Sequence, residues 1–295
     1  MVSAYTQSNS NQTKTFFLIT VFVLLTVGFF YALGSYTNNS IFLLIGLVIG
    51  IGQPLIGYFI GDKMALSFAK AKEISYDENP TLFEMITNLA RVAGIKTPKV
   101  FISPDKSANA FATGRDPNHA SICFNQGILD LLDKNELEGV AAHELSHVKN
   151  YDTLIMTLAA ILASVIGFVA DFAGRMMLWG GGGSNNENKN PFAIVIYLVA
   201  IFLTPFIAFM LQMAISRSRE FLADASAVAI TRYPQGLKNA LMKLDGSPVP
   251  SDTAHSFTNH MYIAEPKKNF GQNEKGWFST HPSIEERVRK LDEMG

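Results

Sequence analysis

The 295-residue sequence has one cysteine, Cys123, so no disulfide can form within the chain and the fold does not depend on an oxidising compartment. Cys123 lies in the apolar run Ser121-Ile122-Cys123-Phe124, where a buried structural thiol is expected rather than a nucleophile. Surplus charge is also missing. The chain has 24 Lys and Arg against 25 Asp and Glu, a formal net charge of −1. No strongly basic surface therefore calls for nucleic acid. A cleavable signal peptide is not evident either. The first apolar run starts at Phe16 behind a polar leader whose only cation is Lys14, and no small-residue cleavage site clearly follows. It reads as a retained anchor. There is no internal repeat, and no low-complexity segment beyond the glycine run at 180–183.

Apolar sequence is what the chain has in quantity. It is 48% hydrophobic, with a mean hydropathy of +0.18. That value suits neither an ordinary soluble protein nor a pure membrane bundle, and predicts spans joined to a water-soluble part. Four uncharged runs stand out: Phe16 to Leu33, Ile41 to Ile60, Leu154 to Ala170 and Phe192 to Ile215. Each is close to the roughly 20 residues needed to cross a hydrocarbon core of about 30 Å. The third is the shortest, and a buried soluble-core helix is the alternative there. Pro54 and Pro205 fall inside the second and fourth runs and are expected to kink rather than stop them. Gly46 and Gly50 suit close helix contact.

Lysine and arginine set the orientation. The connection from Gly34 to Ser40 has none, whereas Lys63, Lys70 and Lys72 follow the second run and Arg217 and Arg219 follow the fourth. The connection at 171–191 has only Arg175 and Lys189. The positive-inside rule places both termini and the segments 61–153 and 216–295 in the cytosol, with 171–191 as an outer loop. The two cytosolic segments can then form one domain.

Within them, Asn79-Pro80 reads as the start of an amphipathic helix that Gly94 ends. Lys99 to Ile102, Ala108 to Thr113 and Ala120 to Phe124 read as short strands. Asp133 and Glu136 form a capping box opening a helix that could continue into the third span. Pro282 can open a last helix over 282–293.

His143-Glu144-Leu145-Ser146-His147 matches H-E-x-x-H. On a helix, positions i and i+4 share a face, so both imidazoles can meet one zinc. Glu144, beside the first ligand, is placed to take a proton from water rather than to ligate. A catalytic zinc needs a third protein ligand. His119, His255, His260 and His281 are available, but Glu220 in Arg219-Glu220-Phe221-Leu222-Ala223-Asp224 is favoured. Glu220 and Asp224 are again i and i+4, so Asp224 could accept a hydrogen bond from a ligand histidine. The plainer reading pairs both acids with Arg217 and Arg219 on a surface. The membrane map also favours Glu220. His147 precedes the third run by seven residues, about 10 Å of helix, and Glu220 follows the fourth by five, about 7 Å.

With these motifs in this order, the chain resembles the HtpX-type membrane metalloproteases, relatives of the CAAX prenyl proteases. The resemblance covers nearly the whole chain. It includes the two N-terminal runs, Asn109-Ala110-Phe111-Ala112-Thr113-Gly114, the H-E-L-S-H helix, the Glu220 to Asp224 motif, and Phe278-Ser279-Thr280-His281-Pro282-Ser283 with Glu286-Arg287. It implies a mainly α protein with a small β-sheet: four transmembrane helices plus a cytosolic gluzincin-like α+β metalloprotease domain. It implies a bacterial plasma-membrane endopeptidase holding one zinc per subunit and degrading damaged or misfolded membrane proteins. Carried over by position, His143, His147 and Glu220 are the ligands and Glu144 the base. Asn109, Ala110, Phe111 and Ala112 would form an edge strand that pairs with substrate. His281 would approach the active site and donate to the tetrahedral oxyanion, with Arg287 helping to place it. Two rival readings remain beside this one: a processing protease for lipidated peptides, and a catalytically silent membrane regulator.

Overall fold

The computed structural model describes residues 4–159, 217–247, 262–263 and 282–295. Most of the third and fourth apolar runs, the loop at 171–191, and His255, His260 and His281 lie outside the described residues.

Two long helices come first, α1 (Ala4–Thr37) and α2 (Ile41–Phe68). Both contain stretches long and apolar enough to cross a membrane, Ser10–Ala32 and Ile41–Phe68. The chain reverses at Asn38, whose φ of 51° is one that asparagine tolerates. Glycine lets the two helices approach closely. A Cβ at Gly46 would lie 2.6 Å from the Phe30 Cβ, and one at Gly50 would lie 3.3 Å from Val27. The glycine face of the second run is thus used within the chain. α2 passes through Pro54 without interruption, and α1 begins well before the apolar run, inside the polar leader. Asn11, Thr15, Leu18, Phe22 and Thr26 form one buried stripe along α1 at spacings of three and four, the period of a helix face.

The sheet follows. Its strands are β1 (Lys72–Glu73), β2 (Lys99–Ser103), β3 (Ala110–Gly114) and β4 (Ala120–Asn125), in the order β1-β2-β4-β3. β2 and β4 run parallel, and the outer pairings are antiparallel. β3 therefore lies at an edge, beginning two residues later than expected. α3 (Pro80–Ala93) connects β1 to β2. It starts on Asn79, whose side chain accepts from the Leu82 amide, and ends at Gly94 with φ 74°. Its buried face repeats as Leu82, Met85, Ile86 and Leu89.

A short helix, α4 (Gln126–Leu131), leads to α5 (Lys134–Lys149), which opens on the expected Asp133/Glu136 capping box. From Val140 to Val148 every side chain of α5 is buried. Each fully buried aliphatic there contributes roughly 1.5–3 kcal/mol of apolar transfer. Two further helices, α6 (Arg217–Thr231) and α7 (Pro234–Gly246), pack against α5. A Cβ on Gly139 would come within 2.5 Å of the Leu237 amide nitrogen, so glycine is what lets α7 lie this close. The last helix, α8 (Ile284–Asp292), starts on Ser283, whose hydroxyl accepts from the Glu286 amide. Pro282 therefore precedes the cap instead of opening the helix.

A further expectation fails. α5 does not continue into the third run. It stops at Lys149, Tyr151 adopts φ 59°, and a new helical stretch begins at 152. The break has a geometric consequence: it turns the Asp152 carboxylate back onto His147, at 3.0 Å.

Candidate metal centre

Helical spacing brings the two imidazoles of α5 together, with His143 Nε2 and His147 Nε2 3.1 Å apart. Glu220, in the first turn of α6, points a carboxylate oxygen at each, 3.6 Å from His143 Nε2 and 3.6 Å from His147 Nε2. His143, His147 and Glu220 offer three ligand atoms within 4.8 Å of one another, all buried. Tetrahedral zinc with ligands at about 2.0–2.2 Å needs neighbouring donors roughly 3.3–3.6 Å apart; the two Glu220 spacings meet this, and the histidine pair at 3.1 Å is slightly closer. Two imidazoles and one carboxylate also form a donor set suited to a divalent transition metal.

Each histidine is held on its other nitrogen. His143 Nδ1 lies 2.9 Å from Asp224 Oδ1. His147 Nδ1 lies 3.0 Å from Asp152 Oδ2, a partner the sequence did not reveal. Such carboxylates fix the ring tautomer and orientation. Burial works against charge on both rings. Asp224 and Glu220 nonetheless raise the His143 pKa above its ordinary value, and Asp152 and Glu220 do the same for His147. That direction marks a surplus of negative charge around the imidazoles, which a cation relieves.

Arg287, fully buried on α8, grips Asp224 with two hydrogen bonds, Nε to Oδ2 at 2.9 Å and Nη2 to Oδ1 at 2.7 Å. Burial alone would raise the Asp224 carboxyl; the guanidinium instead holds it down at about 2. Arg287 also donates to the Ile263 carbonyl at 3.1 Å. Its Nη2 also lies 3.4 Å from the His143 ring nitrogens, and its Nη1 lies 3.8 Å from Glu220 Oε2. Arg219 is buried 3.6 Å from Asp152, and Glu220 and Asp224 are buried rather than paired on a surface.

Glu144 is 2% exposed. Burial pushes its carboxyl up to about 8, with a further push from Glu220, while His147, the Ala112 amide and Arg287 pull the other way. The Ala112 amide connects Glu144 to β3. The Asn109 carbonyl accepts from the Asn125 amide, so by antiparallel alternation Ala110, Ala112 and Gly114 direct their backbone groups away from β4. On that outer side the Ala110 carbonyl accepts from Ile263, the Ala112 amide meets Glu144, and the Gly114 carbonyl accepts from Thr153 Oγ1. Asn109 precedes the strand, and Phe111 packs edge-on against Tyr262 at 5.5 Å.

Comparison with known proteins assigns the class. Residues 77–295 match the model of peptidase family M48. A protease HtpX homolog of Tropheryma whipplei (strain Twist) is 41% identical over 97% of this chain and 96% of its own length. Another, of Sulfurihydrogenibium sp., is 41% identical over 97% of this chain and 96% of its own. That of Lactobacillus helveticus is 39% identical, covering 98% and 99%. In fold, the crystal structure of S. mikatae Ste24p is similar at a TM-score of 0.52 and 20% identity, over 99% of this chain and 67% of that one. A buried His-His-Glu cluster built from an H-E-x-x-H helix and the first turn of α6, in a chain matched along nearly its whole length by HtpX protease homologs, makes this a metallopeptidase: the chain belongs to peptidase family M48.

Proposed function

We propose that this chain is a zinc endopeptidase of the bacterial plasma membrane that hydrolyses peptide bonds in misfolded or damaged membrane proteins. The observation that carries this is the juxtaposition of Glu144 with three convergent ligand atoms on one side and the edge strand on the other. Zinc held by His143, His147 and Glu220 supplies Lewis acidity toward the scissile carbonyl and the attacking water. Glu144 takes the proton from that water and passes it to the leaving amine. β3 holds the substrate extended, with the outward groups of Ala110 and Ala112 as the pairing edge and Asn109 and Phe111 bounding it. Asp224 and Asp152 keep the histidine rings turned to the metal, and Arg287 keeps Asp224 in place. His281 completes the site as a donor to the oxyanion in this reading.

The chain crosses the bilayer four times in this reading, at about 16–33, 41–60, 154–170 and 192–215. Residues 61–153 and 216–295 form the cytosolic protease domain, and both termini are cytosolic. Two contacts support a metal site on the side of the N-terminus. Asn11, near the start of α1, hydrogen-bonds Asp152, and the Ala69 carbonyl at the end of α2 accepts from Ser103 Oγ at 2.6 Å. Exposed apolar side chains on α2, such as Leu44, Val48, Leu55 and Phe59, suit lipid.

The test is incubation of the purified protein with zinc in detergent, with casein and a membrane-protein substrate. The wild type should cleave both, and a chelator should stop it. Glu144→Gln should retain zinc and lose several orders of magnitude in rate. Near wild-type cleavage by zinc-loaded Glu144→Gln would sink the mechanism.

A further inference from the structure

We propose that Asn11 on α1 is a positioning residue of the metal centre, acting on His147 through Asp152. The proposal rests on the zinc reading above.

The helix break after α5 is the starting point. It leaves Asn150 as the C-cap and puts Tyr151, a bulky residue, in the left-handed region at φ 59°. Such a conformation is strained for a residue with a Cβ and persists only where the surroundings hold it. The Asn11 carboxamide spans the break. Its Nδ2 donates one hydrogen to the Asn150 carbonyl at 2.8 Å and the other to Asp152 Oδ1 at 2.6 Å. The Asp152 oxygens thereby divide their work, Oδ1 receiving Asn11 and Oδ2 receiving His147 Nδ1. Arg219 stands farther off, 3.6 Å from Oδ1. Asn11 is 0% exposed and Asp152 1%, so water is poorly placed to substitute for the amide.

The orientation of the amide is fixed by chemistry. Flipped, it would set an oxygen against a carbonyl and a carboxylate. As it stands, the Asn11 Oδ1 is buried with no hydrogen-bond partner among the described residues. A buried, unsatisfied oxygen carries a desolvation cost with nothing to offset it. Leucine at this position, on the same stripe as Leu18 and Phe22, would avoid that cost. The two donated hydrogens are what asparagine offers in return. Asn11 also lies outside residues 77–295, the segment matched by the family model. The structure therefore assigns part of the metal centre's alignment to the N-terminal helix rather than to the peptidase segment itself.

The readout is zinc release from the full-length protein in detergent into excess chromogenic chelator. Asn11→Leu keeps the volume and removes both donors, and zinc should leave about tenfold faster, the lower end of the 10–100-fold seen when ligand-orienting partners are lost. Thr15→Val, one turn along the same buried face, should release zinc at the wild-type rate. In an Asp152→Asn background, Asn11→Leu should add little, because the two act in series. A wild-type rate in Asn11→Leu overturns the proposal. So does equal acceleration by Thr15→Val, or full additivity with Asp152→Asn, either of which makes Asn11 a packing residue. If Asn11→Leu does not accumulate folded, Asn11→Gln displaces the same amide by one methylene and should also accelerate release; a wild-type rate there rejects the proposal. Wild-type protein that binds no zinc refutes the zinc reading instead.

Discussion

The two histidines of α5 sit one turn apart and face the same Glu220 carboxylate, yet they are held from opposite ends of the chain. His143 leans on Asp224, which a buried guanidinium on α8 grips through two charge-assisted hydrogen bonds. His147 leans on Asp152, which comes from a helix break five residues away and is held by a neutral amide from α1. One side is locked by charge within the peptidase segment. The other depends on backbone geometry and on the N-terminal helix. An i, i+4 ligand pair thus needs only one helix to present it but two unrelated supports to orient it, because the outer nitrogens of the two rings meet different neighbours.

Breaking each support should expose this asymmetry. Asp224→Asn takes from buried Arg287 its close counter-charge and leaves only Glu220, 3.8 Å away, so it should cost about 3–5 kcal/mol of stability and weaken zinc 10–100-fold. Asp152→Asn should weaken zinc by a similar 10–100-fold but cost only about 1–3 kcal/mol, since its main partners are an amide and a ring rather than a close guanidinium. Thermal unfolding and competitive zinc titration of the two variants check this, and equal stability losses would erase the distinction. Gly139→Ala acts on neither side. Its Cβ would press on the Leu237 backbone, costing about 1–3 kcal/mol, while the histidines move together and zinc affinity holds. Loss of affinity in step with stability would show that the α5–α7 contact also tunes the site. The smallest effect concerns Cys123. Its buried thiol, pushed far above the ordinary range by burial, should stay unlabelled by maleimide at pH 8 until denaturant is added. Labelling of the native protein would mean that β4 separates from the α1–α2 hairpin against which Cys123 packs.

The half of the centre that follows helical periodicity was legible in the sequence. His143, Glu144 and His147, then Glu220 and Asp224, are pairs at fixed helical spacing, and α3 and the α5 cap carry explicit start signals. Asp152 was not legible. It lies five residues past His147, off the helical repeat, behind a break made by Asn-Tyr-Asp rather than by glycine or proline. Nothing local predicts that Tyr151 takes a positive φ; a contact from residue 11 accompanies it. Asn11 had one faint signal, its phase with Thr15, Leu18 and Phe22, which marks a buried face without saying what that face meets. Arg287 entered by resemblance, as an aid to His281. Among the described residues it clamps Asp224, a contact across 63 positions that no spacing rule anticipates.

The cover on the outer side of β3 bears on solubility and on self-association. An open strand edge is a template on which other copies of a chain pair and precipitate. Here, among the described residues, the Ala110 carbonyl is met by Ile263 and its amide by Asn109 Oδ1, the Ala112 amide by Glu144, and the Gly114 carbonyl by Thr153. Each cover is a single hydrogen bond, worth about 0.5–1.5 kcal/mol net. A passing edge that offers one contact gains nothing by displacing one cover. A long extended polypeptide offers several in register and can replace these covers together. Under the proposed function, the same edge would resist pairing with a folded copy of the chain while remaining open to polypeptide that has already lost its fold.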